Sequence, residues 1–180
     1  MDTNIQRSYL IAELNQIAAT LSTLKVKAHS PSYRNSNLSN ICYHLMIRAI
    51  SAPANSTAQY LESIMDRTAE INPSEWEFLA KEPQKKKVLV DNMYLKVMLF
   101  YWAPGDETEI HGHPKGSGLI KVLEGKIQEF RYNTNDQKFL TEKVYGLQES
   151  GYIDDSLALH AVKNPFNKSA VTLHAYLKYR

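Results

Sequence analysis

The chain changes its hydrophobic period once, near Pro83, and that change limits the folds open to it. Before Pro83 apolar residues recur three or four apart. Ile5, Tyr9, Leu10, Leu14, Ile17, Leu21 and Leu24 form one stripe, as on a helix with a single buried face. Ser30-Pro31-Ser32 ends that helix, and Tyr33-Arg34-Asn35-Ser36-Asn37 reads as polar loop. A second helix carrying Ile41, Leu45 and Ile50 is predicted, capped by Asn37 or Ser39 and finished before Pro53. Ser56 or Thr57 caps a third, through Tyr60, Leu61, Ile64 and Met65, and Asn72-Pro73 opens a short one from Trp76 to Leu79. After Pro83 the pattern becomes short runs rich in Val, Ile, Leu, Phe and Tyr: 88–90, 94–102, 118–123, 126–132, 143–147, 160–163 and 170–176. Turn residues separate the runs, with Glu124-Gly125 predicted as a two-residue hairpin. The expected architecture is mainly β, an antiparallel sandwich or barrel. The whole chain, 1–180, reads as one domain, with a helical section over 1–83 packed on a β-barrel over 84–180.

Composition narrows the partners. Twenty-one basic against 19 acidic residues leave a net charge of +2, no field for nucleic acid or an anionic membrane surface. Lys85-Lys86-Lys87 is too short a run to alter that. A single cysteine, Cys42, allows neither an intrachain disulfide nor a cysteine zinc site. MDTNIQRSYL lacks a basic start and an apolar core, and no apolar stretch approaches the length that spans a bilayer. The expectation is a soluble cytoplasmic protein without membrane or nucleic-acid partners. The oligomeric state is open, and a monomer is compatible with the sequence.

Four of the six histidines lie in the β section, two of them as His111-Gly112-His113. Residues i and i+2 of a strand point to the same face, so this pair can present two imidazoles to one point. His160, on a later strand, is a candidate third ligand across the barrel interior. A lone His-x-His is as often a satisfied core or surface feature, and its context decides. The spacing runs from Gly105 through five residues to His111-x-His113, then four residues to Gly118 and six more to Gly125. This resembles the first cupin signature, and His160-Ala-Val-Lys-Asn164 matches the tail of the second. Asp155 and Leu157 stand where that second signature has proline and glycine, and Gly118 stands where the first has glutamate.

With Gly118 in place of a carboxylate ligand, the segment from about Lys85 to Tyr176 resembles the thiol dioxygenases of the cysteine dioxygenase type I family. The resemblance implies a cupin jelly-roll barrel behind N-terminal helices and Fe(2+) held by His111, His113 and His160. It implies oxidation of a small thiol by O2 to the sulfinate. Gly118 marks the form of the family that makes no cysteine–tyrosine crosslink there. Three neutral imidazoles would leave a divalent metal its full charge and open positions, which suits an anionic chelator such as a thiolate with an adjacent amine. Imidazole also suits Zn, Ni and Cu, so iron enters through the resemblance.

On the last predicted strand Thr172, His174 and Tyr176 share one face and Val171, Leu173 and Ala175 the other. Hydroxyl, imidazole and phenol on one face can form a hydrogen-bond chain. The family carries a Ser-His-Tyr relay beside its iron, and this triplet is similar, with threonine for serine. Taken alone it would read as the polar face of an edge strand. Cysteine-oxidising members use an arginine ahead of the second strand for the substrate carboxylate. Here a lysine, Lys87, holds that place, with Arg34 in the polar loop as an alternative and a solvated loop as the plainer reading of the run. Gly118 and Lys87 are thus the expected substrate-contacting residues. Two other readings stay open: a metal-dependent cupin acting on a non-thiol chelator such as a diketone, and a non-catalytic cupin that binds a metal or ligand. Cys42, His29, His44, Trp76 and Trp102 read as structural, Asp154-Asp155 as a turn, and Ser156 with His160 and Asp155 as no hydrolase triad.

Overall fold

The computed structural model describes residues 38–53, 55–81, 85–113, 116–154 and 156–178. The predicted first helix, His29, Arg34, Asn37 and Asp155 lie outside the described residues. Helix α1 spans Leu38–Ile50 and buries Ile41, Cys42, Leu45, Met46 and Ala49, a stripe at successive spacings of one, three, one and three residues. Each large apolar side chain fully buried in this way contributes about 1.5–3 kcal/mol. Ser39 lies inside the first turn rather than at the cap. Arg48 in the last turn sits 3.9 Å from the Tyr60 ring centroid and donates Nε–H to the Tyr60 carbonyl at 3.2 Å, tying α1 to the following segment.

The predicted third helix is not one regular helix. A 3-10 turn over Ala58–Leu61 leads into a single α turn, α2, at Glu62–Met65, and then into 3-10 structure over Asp66–Glu70. Ala58, Leu61, Met65 and Thr68 are all fully buried. Three residues per turn lines up residues three apart, so the tightened stretches put Ala58 above Leu61 and Met65 above Thr68. Around Trp76 the chain is likewise 3-10, Pro73–Glu75 and Glu77–Lys81, with the Asn72 side chain accepting from the Ser74 N–H at 2.9 Å.

Eight strands follow: β1 Lys86–Asp91, β2 Leu95–Trp102, β3 Gly116–Glu124, β4 Ile127–Tyr132, β5 Phe139–Tyr145, β6 Ser150–Asp154, β7 Leu159–Lys163 and β8 Ala170–Lys178. They form a five-stranded sheet in the order β1-β2-β8-β3-β6 and a three-stranded sheet in the order β5-β4-β7, all pairs antiparallel. This is the mainly-β cupin arrangement, with the helices at the N-terminal side. The two sheets face each other without closing into one continuous ladder, so the barrel is a sandwich at hydrogen-bond level.

Alternation along the strands sends two sets of side chains to opposite sides. Leu95, Val97, Leu99, Leu173, Ala175 and Leu177 share one core cluster with α1 and the 3-10 segments. Trp102, Ile120, Val122 and Ala170 pack inward with Ile127, Tyr145 and Val162 of the second sheet, with Phe100 against them. Lys121, on the helix side and 4% exposed, is neutralised there by Asp66 at 2.7 Å.

Two expectations are corrected. Glu124-Gly125 is not a hairpin within one sheet, because β3 pairs with β6 and β8 and never with β4. The turn instead carries the chain across from one sheet to the other. Gly125, at φ +72°, is needed for it: a Cβ would run into the Ser169 carbonyl and Ala170. Strand β6 was absent from the sequence pattern because Ser150-Gly151 interrupts the run of β formers. A Cβ on Gly151 would lie 2.8 Å from the Tyr145 ring and 2.9 Å from Ile120 Cγ2, so the strand requires the residue that hides it. Gly151→Ala is expected to destabilise by about 1–3 kcal/mol, the usual range for overpacking; urea midpoints at unchanged m-value would measure it.

Candidate metal centre

The predicted His111-x-His113 strand is instead an irregular segment that lies along β7. Thr108 N–H donates to the Val162 carbonyl at 2.9 Å, and His111 and His160 exchange backbone hydrogen bonds, each 2.9 Å. His111 and His160 are thereby direct cross-strand partners, with ring centroids 4.5 Å apart. His113 closes the group at 5.3 Å from the His111 ring and 4.9 Å from the His160 ring. One ligand nitrogen from each ring lies within 4.8 Å of the others. Among the described residues no other group of three or more His, Cys, Asp or Glu side chains has this geometry.

Asn164 frames the segment. Fully buried, it donates from Nδ2 to the carbonyls of Trp102 and Lys168, both at 2.9 Å, and accepts the Phe166 N–H. Its backbone exchanges hydrogen bonds of 2.8 Å with the turn at Gly105 and Asp106. Gly105 has φ +88°, the left-handed region in which glycine is unstrained. The Gly105 and Asn164 of the sequence signature therefore clamp the two loops that present the histidines.

The ring partners decide which nitrogens are available. His111 Nδ1 lies 2.9 Å from the Glu109 carbonyl, which can only accept, so Nδ1 carries the hydrogen. His160 Nδ1 lies 2.8 Å from Glu129 Oε1. Burial raises the Glu129 carboxyl, but the hydrogen bond from His160 and the charge of Arg131 outweigh it and hold the group below the usual range. Glu129 is thus an anion that accepts from Nδ1. Both rings then offer an Nε2 lone pair. His113 Nε2 and His160 Nε2 are 3.0 Å apart. Nitrogens bonded at about 2.1 Å to one metal and at right angles to each other would have that separation. The donor set fits a divalent metal.

Glu129, 3% exposed, was not singled out from sequence. Besides His160 it receives the Tyr145 hydroxyl at 3.1 Å and Arg131 Nε at 2.9 Å, both on Oε2. Burial first, and then the Glu129 charge, push the Tyr145 phenol up to about 12, so it stays a donor. The signal was present: Ile127, Glu129 and Arg131 alternate onto one face of β4, and an apolar Ile127 marks that face as buried.

Strand β8 holds Thr172, His174 and Tyr176 in one hydrogen-bonded row. Thr172 Oγ1 is 2.8 Å from His174 Nε2, and His174 Nδ1 is 3.0 Å from the Tyr176 hydroxyl. The Trp102 indole, read as structural from sequence, donates to Thr172 Oγ1 at 2.8 Å. An indole N–H only donates, and the threonine oxygen keeps a second lone pair and its own hydrogen for the contact with His174 Nε2. Burial, and then the neighbouring histidines, bring His174 down to about 3, so its ring is neutral. That ring carries one hydrogen, which serves either the Thr172 oxygen through Nε2 or the Tyr176 oxygen through Nδ1. Burial pushes the Tyr176 phenol up, so it keeps its own hydrogen. The Tyr176 ring lies 5.1 Å from that of His113.

Gly118 faces Tyr176 across β3 and β8. A Cβ there would sit 3.2 Å from Tyr176 Cε1 and 3.4 Å from His113 Nε2, so glycine keeps open the gap between the phenol and that nitrogen. Lys87 is not brought to this group. It lies opposite Leu99, whose side chain is in the helix-side cluster, while Lys86 lies opposite Phe100 on the inner face. The Phe100 ring is 4.5 Å from that of His174. Lys85 pairs with Asp106 at 3.0 Å.

The model of the cysteine dioxygenase type I family matches residues 29–178. The chain belongs to that family. Cysteine dioxygenase type 1 of Rattus norvegicus aligns with it over 117 residues at 32% identity, covering 59% of this chain and 58% of that protein. The Homo sapiens protein of the same name aligns over 126 residues at 32% identity, covering 64% and 62%. The chain thus spans less than two thirds of the length of these relatives. A solved Klebsiella pneumoniae protein with a double-stranded β-helix domain superposes with a TM-score of 0.44 at 15% identity, over 51% of this chain and 74% of that one. Among the described residues no helix of this family member is long and apolar enough to cross a membrane.

The neutral His174 gives a pH dependence. Unfolded, it takes up a proton near pH 6.5; folded, it resists protonation down to about pH 3. The unfolded state therefore binds more protons in that window, and stability falls as pH falls through it. Metal-free protein is expected to lose about 2 kcal/mol more than its His174→Gln variant between pH 8 and pH 5, read from urea midpoints.

Proposed function

We propose that this chain is a non-haem iron dioxygenase that oxidises a small thiol to its sulfinate with O2. The observation that carries the reading is the pairing of three convergent imidazole nitrogens, with no carboxylate among them, with a phenol held beside them at the end of a hydrogen-bonded row. Family membership supports the reaction class. Divalent iron, when bound, would supply the redox chemistry that dioxygen needs and would favour thiolate over thiol. The stoichiometry closes without a separate reductant: RSH and O2 give RSO2H, and sulfur gives up the electrons that dioxygen takes.

The chain's own residues do the rest. His111, His113 and His160 would hold the metal through Nε2 and leave its remaining positions to substrate and dioxygen. Tyr176 donates a hydrogen bond to whatever occupies those positions, oriented by His174 and Thr172 and anchored by Trp102. Its raised pKa keeps the phenol protonated at neutral pH. Phe100, Trp102 and Ile120 give the inner face an apolar wall that excludes water. For a thiol bearing a carboxylate, Lys86 is the β1 cation on the inner face, since the strand register turns Lys87 toward the helices.

Three outcomes test the reading. Iron-loaded protein incubated with a panel of small thiols in air is expected to give a product heavier by two oxygens, seen by mass spectrometry; no such product from any thiol, or turnover of diketones alone, would refute it. His160→Ala is expected to lose most of the bound metal with the fold retained, by elemental analysis and circular dichroism. Lys86→Met is expected to raise KM for a carboxylate-bearing thiol about tenfold while Lys87→Met leaves it within about twofold, the loss of one charged hydrogen bond being worth about 1.5–3 kcal/mol.

A further inference from the structure

Arg131 has no part in the reading above, yet its placement is specific. It lies directly opposite His160 across β4 and β7, on the inner face. Its Nε donates to Glu129 Oε2 at 2.9 Å, and its Nη2 donates to the Tyr152 carbonyl at 2.6 Å. The two acceptors belong to different sheets. Glu129 sits on β4 of the three-stranded sheet beside His160, and Tyr152 sits on β6 of the five-stranded sheet. Tyr152 is paired with Leu119, next to Gly118, which faces Tyr176. One planar guanidinium therefore ties the strand pair that presents His160 to the sheet that presents Gly118 and Tyr176. No ladder joins the two sheets, and among the described residues Arg131 is the side chain that links the carboxylate behind a candidate ligand to the opposite sheet.

The contact on Glu129 has a second consequence. The carboxylate has two oxygens, and Arg131 and Tyr145 both engage Oε2. Oε1 is thereby left for His160 Nδ1 at 2.8 Å. With Oε2 held by Arg131 and Tyr145, the carboxylate resists turning Oε1 away from His160. The orientation of the His160 ring, and so the direction of its Nε2, depends on that division.

We propose that Arg131 is a positioning residue for the metal centre. It acts through Glu129 on the orientation of His160 and through Tyr152 on the spacing between His160 and Tyr176. Lysine could not take its place, because a single ammonium lacks the fork that reaches a carboxylate and a carbonyl in two fixed directions. The inference rests on the histidines being metal ligands, but not on the identity of the substrate.

The test is titration of metal-depleted protein with Co(II), followed by visible absorbance, so that no turnover is needed. Arg131→Met and Glu129→Gln are each expected to weaken Co(II) binding by about tenfold or more and to change the absorption envelope, as outer partners of metal-bound histidine do. Because Arg131 acts on the ligand through Glu129, the E129Q/R131M double variant is expected to bind within about twofold of E129Q alone. Lys138→Met, which removes an exposed cation from the β4–β5 turn, is expected to match the wild type. Affinity of R131M within about twofold of the wild type, or an undiminished loss when the substitution is added to E129Q, would overturn the proposal. Should R131M not fold, by circular dichroism of the metal-free protein, Arg131→Lys serves: binding weaker by about threefold supports the proposal, and wild-type affinity overturns it. A wild type that binds no Co(II) would refute the ligand set itself. A wild type that binds Co(II) but turns over no thiol would refute only the reaction.

Discussion

Two backbone hydrogen bonds of 2.9 Å between His111 and His160 govern the site. They dock an irregular segment against β7 and make two histidines, 49 positions apart in sequence, into direct cross-strand neighbours. Cβ atoms of such a pair lie about 4.5–5.5 Å apart, close enough for both rings to reach one cation. His113 then needs only the short step past Gly112 to join them. The clamp that makes this register the available one is made of Asn164 and the Gly105 turn, whose hydrogen bonds leave neither loop room to slide. A slip of one residue would put His160 on the outer face of its sheet.

The chemistry of the site depends on a row of fixed hydrogen bonds. Trp102 donates to Thr172, and Thr172, His174 and Tyr176 continue the row to a phenol whose ring lies 5.1 Å from that of His113. The row is buried, and charge is excluded from it: His174 resists protonation and Tyr176 resists ionisation for the same reason, loss of solvent. A neutral hydrogen-bonding row beside a site that would hold a cation avoids like-charge repulsion. Gly118 supplies the remaining requirement, which is space. Its missing Cβ lets the phenol approach Nε2 of His113.

The site was legible in sequence wherever local periodicity carries the geometry. His111, His113 and His160 stood out by spacing, and Thr172, His174 and Tyr176 by alternation on one strand. Elements fixed by non-local pairing were less legible. Glu124-Gly125 shows that the chain turns, but nothing local says that it leaves one sheet for the other. Lys85, Lys86 and Lys87 differ in role only through register, and β1 carries a bulge between Val88 and Val90 that breaks the simple alternation needed to assign faces. Glu129 and Arg131 read as ordinary strand charges until β7 is laid beside β4. Trp102 reads as core because the acceptor that it serves lies 70 residues away.

The absence of a carboxylate among the three candidate ligands does not mean that the site lacks one. Glu129 lies one layer back, bonded to His160 Nδ1, while Nε2 of the same ring faces His113. In that place its charge polarises the imidazole and fixes its tautomer without occupying a coordination position. A buried anion would ordinarily cost several kcal/mol, and here Arg131 and Tyr145 compensate it with charge and a further hydrogen bond. The Glu129–Arg131 pair is neutral as a unit, so a divalent cation at the imidazoles would keep its attraction for an anionic substrate. Moving the carboxylate outward by one residue layer thus keeps its orienting effect on His160 while leaving both charge and space for what a metal held there would bind.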